Sequence, residues 1–238
     1  MSVKIYLSPS DQPDNIYAEG GTNEKAQMEA VAGSIKNIID TEYSCETVKA
    51  TFSLGIGIDG RPREAKEKGC HVYLAIHSNA GGGGKACGAV AYYHPGSLPG
   101  QILATKIVDE LGAICPVKSN RSAPVESGMK AFNGQGFGEI RNPASLGLIA
   151  VLAETDFHDN TQIAQWIVSS KDIIARAYVN ALVNTFNIAK KQAAKPVETG
   201  APPRYYRVQI GAYAKPDNTV AIQKKLKELG FDAIIKYE

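Results

Sequence analysis

Five short stretches of the chain read as strands, most of them largely apolar, and the segment after the first is apolar mainly at every third or fourth position. The runs are "VKIYL" (3–7), "CETVKAT" (45–51), the stretch 71–77 containing "VYLAI", "CGAVAYYH" (87–94) and "LGLIAVLAE" (146–154). Each has the length and the β-branched and aromatic content of a strand, and none shows the strict alternation of a half-exposed one. Between them, Met28, Val31, Ile35, Ile38 and Ile39 fall at helical spacing, which predicts a helix from about Asn23 to Asp40 with Thr22 as its N-cap. The pattern further predicts a short charged helix over "RPREAKEKG" closed by Gly69, one from Gln101 to Ala113, and two more over 160–169 and 171–190. The stretch 114–145 is rich in Gly, Asn, Ser and Pro and reads as one long irregular region, of the kind that tends to be functional.

Strands alternating with helices, and apolar runs without two-residue periodicity, predict an α/β fold: a mixed, mostly parallel sheet with helices on both faces. This body spans 1–192. "AAKPVETGAPP" (193–203) reads as a linker. Residues 204–238 read as strand, helix, strand, a small α+β piece too short to bury a comfortable core alone.

Charge adds an exclusion. The formal net charge of the whole chain is +2, so no basic field points to nucleic acid. The body is near neutral, with 18 Lys and Arg against 19 Asp and Glu over 1–192, and the tail is mildly basic, with 7 against 4 over 204–238. The four cysteines, Cys45, Cys70, Cys87 and Cys115, include no C-x-x-C pair and are expected to be free. The opening "MSVKIYLSPS" lacks the n- and h-regions of a signal peptide, and no run approaches the roughly 20 apolar residues of a membrane span. The expectation is a product made in the cytoplasm without membrane insertion.

The candidate chemistry lies at the edges of elements. His77 ends the run 71–77, Glu154 ends the run 146–154, and Glu24 opens the first helix. Open α/β sheets bind ligands at the carboxyl ends of their strands. A histidine and a carboxylate that hold a divalent metal, with a second carboxylate left free as general base, compose a zinc hydrolase site. Each residue also has a plainer reading. Glu24 is favourable at a helix N-terminus on dipole grounds alone, and a lone histidine is often a packing residue. His71, His94 and His158 are read as structural or surface residues. Glu154 is harder to explain structurally, because a carboxylate on an apolar strand is costly unless paired or used.

The motifs in this order resemble the zinc-dependent N-acetylmuramoyl-L-alanine amidases of the amidase-3 group. "LAIHSNA" (74–80) is similar to the family's S-I-H-x-N-A, with Ala75 where serine is usual. "VLAETDFHDN" (151–160) is similar to V-L-x-E-x-x-F-x-x-N, "TNE" (22–24) to its metal-binding glutamate, and Arg61 with "EAK" (64–66) to its R-x-x-x-A-N helix. The resemblance covers about 3–190. It implies Zn²⁺ as cofactor, Glu24 and His77 as ligands, Glu154 as the catalytic glutamate, and hydrolysis of the amide between N-acetylmuramic acid and L-alanine in peptidoglycan, with 114–145 contributing to the substrate groove. One departure stands out. The family's first strand runs into G-H-G, whose histidine is a third ligand, whereas here it runs into "SPSDQPDN" and no histidine precedes residue 71. Gln12 is taken as the substitute, with Asp11 and Asp14 as alternatives; an aspartate is chemically the better zinc ligand and a glutamine the weaker.

The tail resembles half of a SPOR peptidoglycan-binding module, through "YRVQIGAY" (206–213) and "LKELGFDA" (226–233). That implies wall binding, with a homodimer through the half-repeat as one arrangement. A wall hydrolase without a signal peptide would act after release, as an endolysin or as an autolysin of sporulating cells. The rival reading is a non-catalytic peptidoglycan-binding protein that lost its metal with the missing histidine.

Overall fold

The structure is a computed structural model, and it describes residues 3–191, 211, 214–231 and 233–235. The chain divides into two compact units, Met1–Gln192 and Ala193–Glu238.

The first unit is built on six strands: β1 (Lys4–Pro9), β2 (Glu46–Lys49), β3 (Val72–Asn79), β4 (Val90–Tyr93), β5 (Val125–Ser127) and β6 (Ile149–Phe157). They form one sheet in the order β2-β1-β3-β6-β4-β5. β2, β1, β3 and β6 are mutually parallel, and β4 runs antiparallel to β6 with β5 parallel to it. The chain visits opposite sides of β1 for β2 and β3, which makes the carboxyl ends of β1 and β3 a topological switch point.

The helices are α1 (Glu24–Glu42), α2 (Arg61–Glu67), α3 (Leu98–Ile114), α4 (Gly138–Ser145), α5 (Thr161–Ser169) and α6 (Lys171–Phe186). The absence of alternation in the strands now has its reason. Ile5, Leu7, Val72, Leu74, Ile76, Val151 and Ala153 point to one face and pack with the apolar stripes of α1, α3, α5 and α6. Tyr6, Tyr73, Ala75, Ala150 and Leu152 point to the other, where Ala65 of α2 and Ile140 of α4 meet them. Both faces are covered by helices, so both parities of the central strands are apolar over most of their length.

Several boundaries differ from the sequence pattern. Asn23, not Thr22, caps α1, its side chain accepting from the Ala26 amide, while Thr22 Oγ1 accepts from Gln27. α3 begins at Leu98, three residues before the expected start, because Ser97 caps it and Pro99 suits its first turn. α6 stops at Phe186, where Asn187 turns left-handed at φ 51°. The stretch 114–145 is not wholly irregular: it holds β5, a 3₁₀ turn at Gly128–Lys130 and α4.

Most consequential, neither His77 nor Glu154 ends its strand, since β3 continues to Asn79 and β6 to Phe157. His77 faces Glu154 in register, but the next aligned pair is Asn79 with Phe157, so β6 carries one extra residue there. All four cysteines are free. No helix among the described residues is long and apolar enough to cross a membrane.

In the second unit the described structure is α7 (Pro216–Glu228), none of whose residues is buried. Most of the two strands expected on either side of it, and the linker 193–203, lie outside the described residues.

Candidate active site

Period-two alternation delivers three polar residues to the α2/α4 face at the carboxyl ends of the central strands: Ser8 follows Tyr6 by two, His77 follows Ala75, and Glu154 follows Leu152. From Ile5, Val72 and Ile149 onward, each of the three strands is apolar up to that point. Glu24 arrives from the first turn of α1, and Arg61 from the first turn of α2.

His77 is the hub. Its Nδ1 lies 2.9 Å from Glu24 Oε1 and its Nε2 lies 2.6 Å from Glu139 Oε2. Burial alone would lower the imidazole pKa, but the two carboxylates outweigh it and hold it well above the ordinary value. Burial likewise pushes Glu24 and Glu139 up, and His77 beside each brings both below the usual carboxylate range. Glu24 also accepts from the Ser78 amide at 3.3 Å and from Asn15 Nδ2 at 2.6 Å.

Glu154 is the exception. It sits against His77 on the neighbouring strand, yet its buried Oε2 has no hydrogen-bond partner. Burial is the first cause of a pKa raised to about 7; His77 opposes the rise, and the like charges of Glu24 and Glu139 add to it. A carboxyl group titrating near neutrality is suited to accept and return a proton there.

The third ligand expected on the β1 loop is placed as follows. The Gln12 amide nitrogen lies 3.3 Å from His77 Nδ1, and its oxygen accepts from Asn15 Nδ2 at 2.9 Å. Asp11 faces elsewhere, 2.6 Å from Lys25 Nζ and 3.9 Å from Arg61 Nη2. Asp14 is exposed. Among the described residues no group of three His, Cys, Asp or Glu is gathered for a metal ion. Glu24 and His77 turn one carboxylate oxygen and one imidazole nitrogen toward each other at 2.9 Å, donor types that suit a divalent metal, while Gln12 turns its amide nitrogen and not its oxygen toward the same ring nitrogen.

Glu139 was not legible as a site residue. It lies in the Gly- and Asn-rich stretch, and only the packing of α4 against β6 brings it to His77, 62 positions away. Its Oε1 accepts from Ser8 Oγ at 2.9 Å and from Tyr73 OH at 3.4 Å. Arg61, 1% exposed, donates to Ser8 Oγ, Pro9 O and Leu54 O, while its Nη2 has no hydrogen-bond partner.

A cavity of about 460 Å³ opens over this cluster. Asp11, Gln12, Arg61, His77, Glu139 and Glu154 line it, with walls from Leu54, Ile56, Phe132, Phe137 and Leu152. The stretch 114–145 therefore contributes directly to the lining. His158 is structural: it is buried, stacked on Tyr17 and hydrogen-bonded to Ser78 Oγ. His71 accepts from the Lys4 amide at the opposite end of the sheet.

Comparison with known proteins places these observations in a group. Residues 10–184 match the sequence profile described as N-acetylmuramoyl-L-alanine amidase (Amidase_3), and residues 202–238 match that of the SPOR domain. The chain is 30% identical over 240 aligned positions to the N-acetylmuramoyl-L-alanine amidase CwlM of Bacillus licheniformis, covering 99% of this chain and 85% of that protein. It is 26% identical to the sporulation-specific N-acetylmuramoyl-L-alanine amidase of Bacillus subtilis (strain 168), covering 98% and 84%. Among solved structures, the catalytic domain of CwlV from Bacillus (Paenibacillus) polymyxa var. colistinus superposes with a TM-score of 0.63 at 14% identity, over 78% of this chain and 99% of that one. An amidase from Clostridium difficile 630 gives 0.62 at 18%, over 78% and 97%. At these identities the structural likeness speaks for the fold.

Proposed function

The chain belongs to the N-acetylmuramoyl-L-alanine amidase family, and on that premise we propose that it hydrolyses the amide joining N-acetylmuramic acid to the L-alanine of the peptidoglycan stem peptide, with zinc held by Glu24, His77 and Gln12. The observation that carries the reading is the partnerless buried carboxyl of Glu154 beside His77, on the wall of the cavity. A protein that only bound the wall would gain nothing from such a group, whose burial is costly.

In this mechanism the cavity receives the lactyl amide over the carboxyl ends of β1, β3 and β6. Glu154 takes a proton from the attacking water and returns it to the departing L-alanine nitrogen. Zinc, when bound, supplies the Lewis acidity that polarises the amide carbonyl. Glu24 contributes the negative charge and His77 the neutral nitrogen donor of the metal site. Gln12 is the weak member: its oxygen must face the metal, which takes a half-turn of the amide from the orientation described above. Phe132, Phe137 and Ile56 give the cavity apolar walls against which a sugar ring or peptide can lie. The SPOR segment supports attachment to peptidoglycan, which makes the cell wall the place of action.

Digestion of purified peptidoglycan by the full chain tests the reading. Mass spectrometry should find stem peptides with a free L-alanine amino group, and the wild-type protein should carry about one zinc. Glu154→Ala should retain the zinc and the fold and release nothing. Release by that variant would remove Glu154 from its role. Binding to walls without any product would select the non-catalytic alternative, and products cut within the stem peptide would select a peptidase.

A further inference from the structure

The carboxylate on the far side of His77 has no part in the reaction described so far. We propose that Glu139 is the positioning residue of the metal site: it accepts the Nε2 proton of His77, and thereby fixes the tautomer and the ring plane in which Nδ1 faces Glu24 and Gln12. The inference rests on the reading of Glu24 and His77 as metal ligands.

The geometry separates Glu139 from both of the other site carboxylates. The two nitrogens of an imidazole point away from each other, so an ion on the Nδ1 side with Glu24 is out of reach of a group bonded to Nε2. Glu139 stands on Nε2 at 2.6 Å, a short, charge-assisted contact. Both of its oxygens are committed, Oε2 to the ring and Oε1 to Ser8 and Tyr73. Glu154, by contrast, has a free oxygen and is available for proton transfer.

Glu139 is in turn held from behind. Ser8 Oγ donates to it and accepts from Arg61 Nη1 at 3.0 Å and from Tyr73 OH at 3.0 Å. Arg61 is pinned by the Pro9 and Leu54 carbonyls at 2.7 and 3.0 Å. The relay runs from the first turn of α2 through β1 to α4 and then to β3, so four elements set the direction of one ring. A carboxylate on the far nitrogen of a ligating histidine orients it and makes it a better donor. Here the need is sharper than usual, because the third donor is a neutral amide and the metal site leans on His77.

The test uses the full chain and Zn²⁺ as probe. Competition against a chromophoric chelator should show Glu139→Gln binding zinc about 10- to 100-fold more weakly than wild type, the range typical for loss of such a partner. Long-range ¹⁵N–¹H spectra of the metal-free protein should show the His77 Nε2–H population falling in the variant. Unchanged affinity with an unchanged ring signal would overturn the proposal. So would complete loss of zinc matching that of Glu24→Gln, which would make Glu139 a ligand in its own right. Should Glu139→Gln fail to fold, Tyr73→Phe removes one donor to the Ser8–Glu139 pair and keeps the carboxylate; it must weaken zinc in the same direction and by less, and no change would count against the proposal. A wild-type protein that binds no zinc, or binds it equally well without Glu24, would instead defeat the underlying metal reading whatever Glu139 does.

Discussion

The two faces of the sheet solve different problems. On the side of α1, α3, α5 and α6 the contacts are made by aliphatic and aromatic groups, and the buried residues run from Ile5 through Met28 and Ile35 to Leu182 in one continuous cluster. On the side of α2 and α4 the apolar cluster is smaller, and toward the carboxyl ends of the strands it gives way to Ser8, Arg61, Glu139, His77 and Glu154, all buried or nearly so. The first face holds the strands in place. The second face uses that rigidity to keep charged groups together away from water, where each would otherwise be costly.

Substitutions on either face should therefore fail in different ways. The largest effect is expected from Glu154→Gln, which removes the proposed base and should lower the rate of peptidoglycan hydrolysis by about 10²- to 10⁴-fold, measured as product release per folded molecule. The same variant should not be less stable. A carboxyl raised from 4.5 to about 7 on folding is protonated in the folded chain when its unfolded counterpart has already ionised, so the contribution of Glu154 to stability falls as pH rises from 4.5 to 7 and then levels. In denaturant titrations of the metal-free protein, Glu154→Gln should accordingly gain on wild type across that window, by about 3 kcal/mol at most above pH 7.

Ile35→Ala on the apolar face should do the reverse, costing roughly 2–5 kcal/mol of stability while leaving the rate per folded molecule unchanged. A large drop in rate from Ile35→Ala would erase the distinction between the faces. Arg61→Ala should lie between these, since it strips donors from the Ser8 hydroxyl and the Pro9 and Leu54 carbonyls. A loss of roughly 2–3 kcal/mol is expected, accompanied by weaker zinc binding. The smallest effect on chemistry should come from removing residues 193–238: hydrolysis of a soluble peptidoglycan fragment should be unaffected, and retention on insoluble walls should fall.

The fold was legible wherever the pattern is local and dense. The apolar runs at 3–7, 72–76 and 148–153 became β1, β3 and β6, and the heptad-like spacing of Met28 to Ile39 became α1. His77 and Glu154 could be singled out because each is a titratable residue interrupting such a pattern, and Glu24 because it opens the first helix. α4 offered no comparable signal. It has eight residues, includes Pro143, and buries only Glu139, Ile140 and Pro143. Its placement depends on contacts with β6 and α2 rather than on propensity. Glu139 was hidden for the same reason, because the partners that give it meaning, Ser8 and His77, lie 131 and 62 positions away. The expected ends of β3 and β6 were misplaced because polar residues there were read as terminators. In the folded chain these strands continue, and the polar groups are paired across the sheet or with the covering helices.

The extra residue in β6 gives the sequence motif a second meaning. Between the pairs His77–Glu154 and Asn79–Phe157 the partner strand advances by two and β6 by three. The E-T-D-F spacing thus records a backbone irregularity as well as the proposed base. Glu154 must point into the cavity, and Phe157 must reach the pocket formed with Ala86 and Val90, under the Arg121 guanidinium. Between them Asp156 turns back to accept from the Gly88 and Phe157 amides. Deleting a single residue from this tetrapeptide would leave every one of the proposed catalytic and metal-binding side chains in the gene and still disconnect two of these three attachments. In this chain the distance between motif letters is as much a heritable character as the letters themselves.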